Sequence, residues 1–264
     1  MRRLIDALAL AWPLARRDIA ARYRGSLGGV FWALVGPLAM VVIYAAVFQG
    51  VFRARWPGSG AEGAPAGLDF ALRLFAGLIV FSAFAEVATR ATRIMSDHAN
   101  LVKRVVFPLE LLCVALVMQV AVHAGVQLLL LAVLVVGWGG GVGPSLAWML
   151  LVVPWVLTVL LAVALTLAAL GTYLRDLQHL VPLATTGLMF LSPVFYPQAA
   201  APQALQAVLA VNPLTAPIEA MRAAWFAQPL QTGFVLPQVL AAVVALGLAL
   251  ALFRRLRPGF ADLV

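Results

Sequence analysis

The side chains that carry most covalent and metal chemistry are scarce in this 264-residue chain, and they stand far apart. Its three histidines, His98, His123 and His179, lie in separate regions, so no pair has the short spacing of a zinc site. No GxSxG turn is present to raise a nucleophilic serine. The one lysine, Lys103, follows Val102, which rules out a phosphate-cradling GxxxxGK(S/T) loop. The one cysteine, Cys113, excludes an internal disulfide. Ion coupling across a membrane needs ionisable groups at mid-depth. The candidates are Glu86, His123 and Arg73, with Asp69 at an outer edge. Glu86 and Arg90 stand four apart, at the spacing of a helical ion pair, and His123 reads as a satisfied interior histidine. Neither catalysis nor ATP hydrolysis is expected from this chain. Its chemistry must lie in the surfaces it presents.

Those surfaces are carried by elements of unusual composition. The chain is 64% hydrophobic and only 11% charged, against about 25% charged in soluble domains, and its mean hydropathy is +1.02. Residues 25–52, 111–174 and 223–253 contain no Asp, Glu, Lys or Arg. A helix needs about 20 apolar residues to cross a bilayer, so an all-α membrane protein with six spans is expected, at 30–52, 68–89, 109–137, 146–173, 180–196 and 235–253. The second carries Arg73 and Glu86 and needs a neighbouring helix or snorkelling to accommodate them. With the amino terminus in the cytoplasm, segments 1–29, 90–108, 175–179 and 254–264 face inward. They hold six, four, one and three of the 18 basic residues, leaving Arg53, Arg55, Arg73 and Arg222 elsewhere. This bias orients the chain with both termini inside. The net charge of +8 is then orientation charge, and no nucleic-acid partner is expected. Arginines scattered through 1–24 do not form the basic head and apolar block of a cleavable signal peptide.

The connections differ in kind. Residues 53–67 read as an external loop, and the glycine-rich 137–145 as a turn between spans three and four. Segment 197–237 is too short for two spans, is broken by Pro202, Pro213, Pro217 and Pro229, and carries Glu219 and Arg222. Short helices dipping into the outer leaflet fit it, with a break at Asn212-Pro213. At the amino terminus, Ile5, Leu8, Trp12, Ala15, Ile19 and Tyr23 fall on one helical face, away from Arg17, Asp18 and Arg24. That pattern predicts a helix lying in the membrane interface over residues 1–29, kinked or restarted at Pro13. Segment 96–110 mixes His98, Asn100, Lys103 and Arg104 with Leu101, Val105 and Phe107, then Pro108 and Glu110 lead into span three. It predicts either a short amphipathic helix for a partner's groove or a solvated loop holding positive charge.

Several segments, in order, resemble permease subunits of ABC-2 type polysaccharide exporters. They are Arg16-Arg17-Asp18, then Arg22-Tyr23-Arg24-Gly25-Ser26-Leu27-Gly28, then Trp32-Ala33-Leu34 with Pro37-Leu38. Further along come NLVKRVVFPLE from Asn100 to Glu110, Tyr173-Leu174-Arg175-Asp176, and SPVFYP from Ser192 to Pro197. Asn212-Pro213-Leu214-Thr215 with Glu219 and Arg222, and the closing Phe260-Ala261-Asp262, complete the set. The resemblance covers nearly the whole chain and is nearest to O-antigen permeases through RYRGSLGG.

It implies a permease domain over 30–264 behind the interfacial helix 1–29, paired with a second copy in a bacterial cytoplasmic (inner) membrane. Two cytoplasmic ATPase subunits would bind ATP and magnesium, no cofactor being held by this chain. They would dock on 96–110 as the coupling segment. The cargo would be a lipid-linked glycan, on a carrier such as undecaprenyl diphosphate. On that premise Trp32, Tyr44, Phe48, Phe75, Phe81, Phe84 and Tyr196 are expected along the substrate path. Segment 197–237, with Asn212, Pro213, Glu219 and Arg222, is expected to form an external gate. An ABC-2 exporter of drugs or small lipids, and a non-conducting membrane scaffold, stay open as alternatives.

Overall fold

A backbone surrounded by hydrocarbon has no water to bond and must satisfy its N–H and C=O groups internally. Helix is the outcome that long charge-free stretches dictate. The computed structural model describes residues 11–20, 32–50, 56, 66–103, 107–137, 143–228 and 232–264, and every regular element among them is helical. In chain order these are α1 (11–20), α2 (Trp32–Gly50), α3 (Ala66–Ala91), α4 (Ile94–Asp97), α5 (Ala99–Val102) and α6 (Glu110–Gly137). They continue as α7 (Met149–Tyr173), α8 (Leu177–Phe190), α9 (Gln203–Val211), α10 (Thr215–Phe226), α11 (Thr232–Leu256) and α12 (Phe260–Leu263).

Among the described residues, four stretches are long and apolar enough to cross a membrane: Leu68–Ala91, Glu110–Gly137, Pro144–Tyr173 and Val235–Leu263. They match the expected second, third, fourth and sixth spans. In α2 the described apolar stretch is Val35–Val47. The expected fifth span differs. Helix α8 has 14 residues, about 21 Å at 1.5 Å per residue, and stops at Phe190, with turns over the next six residues. That is short of a hydrocarbon core of about 30 Å.

The helix that composition makes least membrane-like turns out to be the centre of the bundle. In α3, 78% of the apolar window is buried inside the protein, against 17–33% in the other three. Helices α2, α6, α7, α8 and α10 pack around α3, and α11 lies along α7. The four charges of α3 pair within the helix, Arg73 with Asp69 at 2.8 Å and Glu86 with Arg90 at 3.1 Å. Arg90 also donates to the buried Gln119 of α6 at 2.8 Å. Neighbours and i,i+4 partners, not lipid, receive these charges.

Where α3 leads into α4, α3 and α7 approach closely. A Cβ at Gly171 would run into the backbone of Thr92, so only glycine fits there. Thr92 ends α3 by returning its Oγ1 to the Thr89 carbonyl at 2.8 Å. At the opposite end, α9 and α10 are the short helices expected from the prolines of 197–237. The turn before α7 is fastened to α10 where Ser145 Oγ donates to the Ala224 carbonyl at 3.0 Å.

Candidate functional site

The end of the bundle that holds α9 and α10 is organised by the early stop of α8. A helix end leaves carbonyls without partners, and here side chains supply them. Ser192 Oγ donates to Leu188 O at 2.7 Å, and Tyr196 OH donates to Phe190 O at 2.9 Å. Asn212 Nδ2 donates to Leu191 O at 3.0 Å and to Ser192 Oγ at 2.8 Å. The same side chain accepts Leu214 N–H on Oδ1 at 2.9 Å, which shapes the entry to α10. One asparagine thus joins the end of α8 to the start of α10.

Arg222 closes the arrangement. It is 0% exposed, and its Nη1 and Nη2 donate to the carbonyls of Pro193 at 2.6 Å and Val194 at 2.5 Å. Its Nε donates to Arg73 O on α3 at 3.0 Å, and Nη1 reaches Glu219 Oε1 at 3.2 Å. Trp56 lies against the guanidinium at 4.5 Å, within the range of a cation–π contact. Arg73 sits in the same way over Phe226 at 4.6 Å. Glu219 also accepts Gln198 N–H at 3.1 Å. Burial pushes the Arg222 guanidinium down to about 10, opposed by Glu219, so it remains a cation at neutral pH. A guanidinium with its fork filled can bear this burial, because its donors all face acceptors. Glu219 and Arg222, expected in a gate segment, are a half-buried brace and a buried keystone. Pro213 is exposed, between Asn212 and Leu214.

Beside this clamp stands a row of rings. Tyr44 on α2 meets Phe195 edge-on at 6.0 Å, and Phe195 stacks on Phe190 of α8 at 5.7 Å. Phe190 is 60% exposed. Of the residues expected along a substrate path, Tyr44 and Tyr196 come together here, and Phe190 and Phe195 join them although path chemistry had not singled them out. Trp32 is exposed on α2, away from this row. Phe75, Phe81 and Phe84 lie in the core of helix contacts around α3, since their side of α3 faces other helices. The Phe48 side chain lies outside the described residues.

At the opposite end, residues 94–103 form two single-turn helices, α4 and α5, where segment 96–110 was expected to be either one short amphipathic helix or a solvated loop. The backbone breaks at His98, whose Nδ1 lies 3.0 Å from Ile94 O. Ile94, Met95 and Val102 are buried, Leu101 is half-buried, and Ser96, Asp97, Asn100 and Lys103 are exposed. Phe107 is half-buried and gives its carbonyl to Arg257 at 3.2 Å, while Pro108 is exposed. Glu110 lies between Arg257 at 3.6 Å and Arg254 at 3.9 Å. The carboxyl-terminal end of the chain therefore straps this segment from behind. Tyr173 OH anchors the strap by donating to Leu256 O at 2.9 Å, and Phe253, Phe260 and Tyr173 pack edge to edge. Arg104 and Val105 lie outside the described residues.

In the amino-terminal segment, α1 contains Pro13 without interruption and packs through Ala11 and Ala15 on Ala115 of α6. Trp12, Arg16 and Arg17 are exposed, and Asp18 is half-buried. The protein-facing side is thus the alanine side, which permits close approach, and Trp12 is left facing out. Asp18, Asp97, His98 and Arg90 converge on one small recess between α1, α3, α4 and α6. Arg22, Tyr23 and Arg24 lie outside the described residues.

One signal in the sequence could have located the clamp. Arg73 and Arg222 are arginines on the wrong side for orientation charge, set in apolar surroundings where a cation must find partners. Nothing comparable marked Trp56 or Phe190.

A family model described as ABC-2 type transporter matches residues 10–226. The chain is 29% identical to an O-antigen export system permease protein RfbA of Myxococcus xanthus, over 99% of this chain and 98% of that protein. Two Klebsiella pneumoniae proteins of the same description are each 23% identical, over 99% of this chain and 96% of theirs.

Proposed function

This chain belongs to the ABC-2 type transporter family, and from that membership we propose that it is the permease subunit of an ATP-driven exporter of a lipid-linked polysaccharide of the O-antigen type. The observation that carries this is end-to-end similarity to relatives described as O-antigen export permeases. Two copies form the conduit in a bacterial inner membrane. Two cytoplasmic ATPase subunits bind ATP and magnesium and dock on 96–110. Six crossings with both termini inside complete the topology, α2 serving as the first and α8, continued by its clamped turn, as the fifth. Helix α1 lies in the membrane interface at the inner leaflet.

The site supplies a physical account of how a polymer could pass. The apolar faces of sugar rings stack on aromatic rings, and sugar hydroxyls exchange among polar partners. Base stacking on aromatics, a similar contact, contributes roughly 1–3 kcal/mol each. Several weak sites let a chain slide where one strong site would hold it, as multiple sites do for ions in pores. Tyr44, Phe190, Phe195 and Tyr196 form such a row beside the break after α8.

The test is co-expression of the chain with its ATPase in a host lacking its own glycan exporter. Glycan at the cell surface is the expected result. Glycan retained inside, with efflux of small amphiphiles instead, would favour the drug or small-lipid exporter, and no ATP-dependent transport at all would favour a scaffold. Topology is read separately in a Cys113→Ala background. Gln198→Cys should react with impermeant thiol reagents from outside, whereas Ser96→Cys and Asp176→Cys should not.

A further inference from the structure

We propose that Arg222 is a positioning residue for the aromatic row: from its buried seat it fixes the turn 192–197, and through that turn it sets Phe195 and Tyr196 against Tyr44 and Phe190. It does this without touching cargo, and only its export readout rests on the glycan reading above.

The turn has little of its own to hold it. Among its described backbone bonds, Val194 N–H donates to Ser192 O at 2.7 Å, and Pro193 has no N–H to give. The carbonyls of Pro193 and Val194 point instead to Arg222. Phe195 follows directly, and its ring lies between those of Tyr44 and Phe190. A shift of the Val194 carbonyl therefore carries Phe195 with it. The far end of the turn is held by the same ion pair, since Glu219 both receives Arg222 and accepts Gln198 N–H. Arg222 and Glu219 thus bracket the turn at 193–194 and at 198.

The frame behind Arg222 is rigid. Its Nε is bonded to α3 through Arg73 O, and Trp56 covers its face. A Cβ at Gly77 would come within 2.6 Å of its Nη2, so α3 is relieved of a side chain where the guanidinium passes. This gives a second handle on the same group, from a helix that carries no part of the row at that position. Lysine cannot replace the fork. A single ammonium on a flexible stem lacks the fixed spread of donors that serves two carbonyls and Arg73 at once.

Two variants of the full-length permease test this, Arg222→Lys and Gly77→Ala. The first reading is geometric. In a Cys113→Ala background with Tyr44→Cys and Phe195→Cys, a short bis-maleimide should join the two cysteines quickly, and either variant should slow the joining several-fold while the protein still melts cooperatively. An unchanged rate in a folded variant overturns the proposal, and Gly77→Ala carries the test if Arg222→Lys does not fold. The second reading is export with the partner ATPase. Arg222→Lys and Phe195→Ala should each lower it, and together lower it no further, because the two act through one structure. Additive losses overturn the proposal, since Arg222 would then act elsewhere. Slowed cross-linking with export untouched by Phe195→Ala would leave the positioning role standing and remove the glycan path.

Discussion

The two ends of the molecule both bring arginines to a glutamate, and they do so in opposite ways. At the end that holds α9 and α10, Arg222 is buried, and its donors are taken by three carbonyls and by Glu219. At the opposite end Glu110 faces Arg254 and Arg257 at 3.6 to 3.9 Å, with Arg254 71% exposed. Exposed pairs in water contribute about 0–1 kcal/mol, whereas removing one partner of a buried pair costs about 3–5 kcal/mol. The Arg222 end is therefore built to hold one geometry. The Glu110 end is held by apolar packing and by contacts that can be remade.

The largest effect should come from Arg222→Met. It leaves the carbonyls of Pro193, Val194 and Arg73 without their donor and Glu219 without its cation. A loss of about 3–5 kcal/mol is expected, measured by thermal unfolding of the detergent-solubilised permease. A melting temperature equal to the parent's would erase the contrast between the ends. Next, Leu101→Asp with Phe107→Asp should abolish co-purification of the ATPase while insertion persists. Wild-type recovery of the ATPase would mean that 96–110 is not its docking surface.

A smaller and opposite effect is expected at the end of α10. Ala227 has φ 49°, a left-handed conformation that favours glycine. Ala227→Gly should raise stability by about 1 kcal/mol, read from the same melting curve; a drop would show that the methyl group packs usefully. The smallest effect should follow Glu110→Gln, below about 1 kcal/mol and fading in high salt. A loss as large as that of Arg222→Met would show that the Glu110 cluster is as rigid as the Arg222 clamp.

Much of this was legible in the sequence, and the misses are instructive. The charge-free stretches located α6, α7 and α11 because length and apolarity suffice for a lipid-facing helix. The prolines of 197–237 announced short helices, and α9 and α10 are there. Helix α3 looked weakest as a span and is the best enclosed, because hydropathy counts charges without knowing that Asp69 and Arg90 lie one turn away to receive them. The end of α8 was misplaced, since Leu191–Tyr196 is as apolar as a span should be, and its stop is enforced by residues 20 to 30 positions downstream. Phe75, Phe81 and Phe84 show the same limit: an aromatic type does not say which neighbour it faces.

By itself the sequence determined that this chain is a helical membrane protein, excluded a phosphate-cradling loop of its own, and fixed its similarity to export permeases. Those properties are sums over residues or local patterns, such as apolar length, scarcity of lysine and ordered motifs. Only the tertiary structure decided that Arg222 is a keystone, that α8 stops at Phe190, and that Tyr44 and Phe195 share a row. Each depends on groups distant in the chain satisfying one another's hydrogen bonds in a place without water, and that pairing is a property of the fold.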